Sequence, residues 1–127
     1  MRLFLVRHAE AAPGEPDELR PLTPGGRAVS RALGEQLASE RPDAVLSSPL
    51  LRARETAEQI ARPAGIEPKA DERLAPGATA ESVKAAVAGK GETVVVVAHQ
   101  PDCSAIVLEL TGREIKFSPG AVFAVDV

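Results

Sequence analysis

Aromatic side chains are almost missing from this chain: 127 residues hold three Phe and no Trp or Tyr. Proteins that bind single-stranded nucleic acids stack bases on aromatic rings, so the scarcity argues against such a ligand. It also obliges the core to be built from Leu, Val, Ile and Ala. Cysteine is scarcer still, and the lone Cys103 excludes an internal disulfide and a Cys-rich zinc site. Neither sign of charge dominates. With 15 Lys and Arg against 18 Asp and Glu, the net charge of -3 gives no global field to draw in a polyanion. Affinity for phosphate must therefore come from a local cluster of cations. Long hydrophobic runs are absent too: Arg2 interrupts the opening stretch, which is too short for a signal-peptide core, and nothing approaches a membrane span. The expectation is a cytoplasmic protein with neither nucleic acid nor membrane among its partners.

What remains is an ordinary globular balance, 44% apolar and 26% charged, in a chain of a length suited to one domain over residues 1–127. The runs Arg2–Val6, Ala44–Ser47 and Thr93–Ala98 are nearly all apolar, the mark of strands covered on both faces. Helices are expected between and after them. Thr23-Pro24 and Ser48-Pro49 each offer a capping hydroxyl followed by proline, which reads as two helix starts. The first carries Val29, Leu33 and Leu37 at four-residue spacing, an apolar stripe, and the second runs to about Ala61. Thr79–Ala88 and a segment with Ile106, Val107 and Leu110 supply two more. Residues Ile66–Ala70 suit a short strand. Glu114–Phe117 and Ala121–Val125, around Ser-Pro-Gly, suggest a closing hairpin. Strands alternating with helices imply an α/β fold, a three-layer sandwich with helices on both faces of a mostly parallel sheet.

In open sheets of this kind the functional crevice lies beyond the carboxyl ends of the strands. The chain has only two histidines, and both stand there: His8 after the first strand, His99 after the last parallel one. Arg7 precedes His8, and Arg52 falls in the first turn of the helix after Ala44–Ser47. Two imidazoles and two guanidiniums without matching acids point to an anionic ligand, because guanidiniums match phosphate oxygens in bidentate fashion. Free N–H groups at a helix start after Ser48 would add to such a site. A neutral imidazole with one free nitrogen is a competent nucleophile toward phosphorus. Arg54, two positions beyond Arg52, should face solvent. Gly89-Lys-Gly-Glu-Thr lacks phosphate-loop spacing and precedes a strand, and no HExxH-type spacing suggests a metal. No metal and no cofactor are expected.

These residues also carry a resemblance. RLFLVRHAE resembles the opening signature of the histidine phosphatase superfamily (phosphoglycerate mutase-like), with Ala9 where Gly is usual. SSPLLRARETA at 47–57 resembles its second element, whose phosphate-binding arginine maps onto Arg52, and VVVVAHQP at 94–101 its third, whose histidine maps onto His99. The matches fall in family order. Small size, the RHA form, Arg20-Pro-Leu-Thr and the ending at Lys116–Val125 resemble the short SixA-type phosphohistidine phosphatases. That resemblance implies His8 as nucleophile, with Arg7, Arg52 and His99 as the phosphate clamp. Arg20 and Gln100 become candidate substrate contacts, and Glu72, in Asp71-Glu-Arg-Leu-Ala-Pro-Gly, a candidate proton donor.

The activity so implied is a metal-independent phosphatase acting through a phosphohistidine intermediate on phosphohistidine of proteins. An alkoxide leaving group needs a proton, whereas a phosphohistidine already holds a labile P–N bond, so an insecure acid fits the latter. Two alternatives stand beside it. One is a phosphatase of small phosphate esters or anhydrides; the other is a module that recognises phosphate without turnover, against which the presence of a nucleophile argues.

Overall fold

The computed structural model describes residues 1–127. Five strands form one sheet: β1 (Arg2–Arg7), β2 (Ala44–Ser47), β3 (Lys69–Ala70), β4 (Thr93–Ala98) and β5 (Val122–Asp126). Their order is β3-β2-β4-β1-β5, with β1 to β4 mutually parallel and β5 antiparallel to β1. Four helices connect them: α1 (Pro24–Ala38), α2 (Leu51–Ala64), α3 (Ala80–Val87) and α4 (Asp102–Thr111).

The period of two along a strand distributes the core between two faces. Leu3 and Leu5 of β1, with Val94 and Val96 of β4, pack against Val83, Val87, Ile106 and Val107 of α3 and α4. Their alternates Phe4, Val6, Val95 and Val97 pack against Leu33, Leu37, Ala57 and Ile60 of α1 and α2. Leu3, Leu5, Val6 and all of Val94–Val97 are almost wholly buried, as a doubly covered sheet requires. Helices α1 and α2 approach until Gly34 lies against the backbone of α2; a methyl group there would collide with the Gln59 carbonyl oxygen.

Local signals act as their chemistry predicts in most places. The Thr23 hydroxyl accepts from Gly26 N–H at 2.9 Å and caps α1. Thr79 and Ser82 cap α3 reciprocally. Gly112 ends α4 in the left-handed conformation, φ +75°.

The structure corrects three details. Val29 is 48% exposed, because the buried face of α1 turns toward Gly26, Ser30 and Gly34, leaving Val29 at the stripe's edge. Helix α2 begins at Leu51, not at Ser48-Pro49, and Leu50 is its cap without a side-chain bond. The expected C-terminal hairpin does not form. Residues 114–117 form no strand, and two of their carbonyls are engaged by side chains: Ile115 O accepts from Ser104 and Phe117 O from Arg7. β5 pairs with β1 instead, in the register Arg2↔Asp126 to Val6↔Val122.

Candidate active site

Parallel pairing brings the two histidines together. β1 and β4 run in register from Arg2↔Thr93 to Arg7↔Ala98, and the pairing continues one step further, with His8 N–H donating to Ala98 O at 3.0 Å. On the other side of β4, Ser48 N–H donates to Val97 O at 3.0 Å. The residues just past β1, β2 and β4 therefore form one row at the carboxyl edge of the sheet. The imidazoles of His8 and His99 meet edge to face, centroids 5.2 Å apart. Gly89-Lys-Gly lies before β4, at the opposite edge.

His8 is oriented by its own loop. Its Nδ1 lies 2.8 Å from Ala9 O, and a carbonyl oxygen can only accept, so Nδ1 carries the proton. In the neutral ring the lone pair is then on Nε2. Ala9 is fixed in turn: it is fully buried, and its N–H donates at 3.1 Å to the Thr56 hydroxyl, which donates to Arg52 O at 2.8 Å. One hydroxyl on α2 thus couples the His8 loop to the helix turn that bears Arg52. Burial lowers the pKa of His8, against the raising effect of the Ala9 carbonyl, and the guanidiniums of Arg52, Arg7 and Arg20 lower it further.

His99 has a different setting. It is 4% exposed, and its Nε2 lies 2.8 Å from the Ser48 hydroxyl, itself fully buried. Ser48 Oγ already accepts from Leu50 N–H at 3.2 Å, leaving its own proton free to donate to the ring. Burial, then His8 and Arg52, push the pKa of His99 down to about 4. Both rings are accordingly neutral at neutral pH.

Three guanidiniums surround this pair. Arg52, 8% exposed, donates from one nitrogen to Asp17 O at 2.9 Å and from another to Asp17 Oδ2 at 3.2 Å. Arg20 bonds the other carboxylate oxygen of Asp17 at 3.0 Å and Ala12 O at 2.8 Å. Arg7 donates to Phe117 O at 2.9 Å, while its buried Nε has no partner within the protein. An unmade hydrogen bond at a buried donor costs about 1–3 kcal/mol, the sort of cost seen where a ligand is to be bound.

The structure thus brings together His8, His99, Arg7, Arg52 and Arg20, all named from sequence. Arg54 is exposed and turned back onto Pro49 O, as expected. Gln100 is turned elsewhere: its amide exchanges two hydrogen bonds with Ser104 and secures the first turn of α4. Glu72 is exposed in a 3-10 turn and its carboxylate makes no hydrogen bond or ion pair, between Asp71 and Arg73, which pair with each other at 2.8 Å. Three residues that sequence reading passed over belong to the site: Asp17, Ser48 and Thr56. Thr56 stands four positions after Arg52, on the same helix face, which was a usable signal. Ser48 reads locally as a helix cap, and Asp17 is one acid among several in a polar loop.

No group of three or more His, Cys, Asp or Glu side chains is placed to hold a metal. None of the cavities is lined by Arg7, His8, Arg52 or His99; the largest, about 480 Å³, runs between α4 and residues 114–116. The site is therefore not an enclosed pocket. No helix is long and apolar enough to cross a membrane.

Comparison with known proteins adds to this geometry. Residues 3–76 match the model of the histidine phosphatase superfamily, branch 1. An uncharacterized protein of Picosynechococcus is 32% identical over 136 residues, covering 96% of this chain and 82% of its own. The structure of the protein histidine phosphatase SixA complexed with tungstate superposes with a TM-score of 0.85 at 27% identity, covering 100% of this chain and 88% of that one. SixA of Agrobacterium tumefaciens gives 0.82 at 28% identity, covering 98% and 90%.

Proposed function

The chain belongs to the histidine phosphatase superfamily, branch 1, and from that premise we propose that it removes phosphoryl groups from phosphohistidine on proteins, with His8 as the nucleophile. The observation that carries this reading is the Nδ1–Ala9 bond, which presents the Nε2 lone pair of His8 beside His99 and the arginines. A SixA structure that superposes on this chain holds tungstate, a tetrahedral oxyanion like phosphate.

In the first step the Nε2 lone pair attacks phosphorus in line, and the bond to the leaving group breaks. Arg7, Arg52 and His99 bind the phosphoryl oxygens as their charge spreads, with Arg20 on the substrate side; Gln100, its amide held by Ser104, takes no part. In the second step water attacks the phosphorus and the electron pair returns to Nε2. Because Nδ1 keeps its proton throughout, His8 departs as neutral imidazole and needs no acid. Water's proton leaves with the phosphate or passes to solvent.

The substrate's leaving group behaves likewise. A phosphohistidine protonated on its other ring nitrogen leaves as neutral imidazole, whereas an alkyl ester would leave as alkoxide. Glu72 is the candidate donor for the second case. Its exposure and lack of partners, together with the absence of a cavity around the histidines, favour the protein substrate. The reaction needs no metal in this scheme.

The experiment is a comparison of initial rates of phosphate release from a phosphohistidine protein and from a panel of small phosphate esters and anhydrides, with and without chelator. Preference for the phosphohistidine protein, unaffected by chelator, is the expected result. Preference for a small ester would transfer the assignment to the small-molecule reading, and binding without release would make the chain a recognition module.

A further inference from the structure

Asp17 is the one acid in contact with the site's cations, and it contacts two of them. Its carboxylate is shared between Arg20, 3.0 Å from Oδ1, and Arg52, 3.2 Å from Oδ2, and its main-chain carbonyl holds a second nitrogen of Arg52 at 2.9 Å. Of the other arginine–aspartate pairs, Arg73–Asp71 lies within one turn and closes a local structure, and Arg2–Asp126 joins two exposed side chains across the β1–β5 pairing. Asp17 instead reaches 35 residues along the chain to Arg52, which is 8% exposed. It projects from a loop, residues 10–20, that also carries Glu10, Glu15 and Glu18 on its exposed surface.

The charge count is simple. Arg7, Arg20 and Arg52 contribute three positive charges and Asp17 removes one, leaving two, which matches a phosphoryl dianion and nothing more. A substrate with a second anionic group beside its phosphate would meet donors already engaged by Asp17, and would meet the carboxylate itself. A phosphoryl group on a neutral or cationic ring meets neither obstacle.

We propose that Asp17 is a specificity-determining residue, which disfavours phosphorylated substrates bearing a carboxylate or second phosphate near the phosphoryl group and so restricts the site to phosphoryl groups on neutral or cationic carriers such as imidazole. This rests on the phosphatase reading above. Asp17 makes no bond to phosphorus in it and moves no proton.

The test uses the full chain and two probes of the same size, 3-carbamoylphenyl phosphate and 3-carboxyphenyl phosphate, which differ only in a negative charge. The wild-type protein should prefer the neutral probe in kcat/KM, and Asp17→Asn should reduce that preference about tenfold, the effect of one unit charge a few Å away across a partly solvated gap. Asp17→Glu, which restores the charge, should restore most of the preference. Asp17 is exposed, so folding should survive both changes, and thermal melts would verify it. If Asp17→Asn lowers both rates in parallel, Asp17 merely props Arg52, and the proposal fails while the phosphatase reading stands. An unchanged ratio has the same consequence. If the wild type hydrolyses neither probe nor a phosphohistidine protein, the phosphatase reading fails and takes this proposal with it.

Discussion

The ends of β1 and β4 are neighbours in register, each delivers a histidine to the same edge, and yet the two rings are held in opposite ways. His8 is partly exposed, with its proton fixed on Nδ1 by a main-chain carbonyl and Nε2 left to the site. His99 is buried, and its Nε2 is bound by a side-chain hydroxyl from the neighbouring β2 end. Identical residue types at equivalent places therefore acquire different chemistry from what the adjacent loop supplies. In the proposed reaction one attacks and the other stabilises. Backbone pairing sets where the rings stand; Ala9 and Ser48 set what each can do.

The sharpest way to break this comparison is to remove the rings one at a time. His8→Ala should lower kcat for a phosphohistidine protein by on the order of 10⁵, since no covalent route remains, whereas His99→Ala should keep a measurable covalent step. Comparable losses would make the two ends equivalent and the assignment of roles wrong. Next in size is the clamp they share. Arg52→Ala should cost about 10²–10³ in kcat/KM and weaken inhibition by vanadate, as loss of one charge-stabilising donor does. An unchanged inhibition constant would remove Arg52 from the anion site.

A third difference appears in stability. The pKa of His99 falls from 6.5 to about 4 on folding, so between those values the unfolded chain binds the proton more readily. Stability should then fall as pH drops from about 6.5 to 4, by on the order of 3 kcal/mol from this group, and the loss should level off below that. Denaturant unfolding at several pH values should show a shallower loss in His99→Gln than in the wild type. Parallel curves would mean that the buried ring takes up its proton in the folded state. His8, lowered as well, should keep its nucleophilic form below pH 6.5, so the acid limb of activity should lie below that value.

The smallest effect concerns Ser48. Ser48→Ala should slow turnover about tenfold, because one hydrogen bond that orients His99 is worth roughly 1–1.5 kcal/mol. Substrate affinity should change less than kcat. A fall in affinity with kcat intact would place Ser48 in binding and not in positioning.

Why the sequence disclosed one part of this arrangement and not the other follows from the range of the interactions. The strands β1, β2 and β4 were legible because a doubly covered strand must be apolar throughout, and their ends located His8 and His99 directly. Arg52 was legible from its place just after β2, with help from the family pattern. Ser48 was misread because Ser-Pro signals a helix start locally, and its bond to His99 crosses 51 residues. Residues 114–117 were misread for the same reason. Their alternation suits a strand, but Ser104 and Arg7 engage the carbonyls that a hairpin would have used. Asp17 could not be singled out, since nothing local distinguishes it from Glu15 or Glu18. Gln100 sits in the right motif, and only the structure shows its amide occupied by Ser104.

Rapid acid-free quenching during turnover of a radiolabelled phosphohistidine protein, followed by peptide mapping of the enzyme, tests the nucleophile most directly. Wild-type protein should carry acid-labile, base-stable label on the peptide containing His8; His8→Ala should carry none, and His99→Ala should accumulate it slowly. Label on any other residue, or full turnover by His8→Ala, would contradict the account.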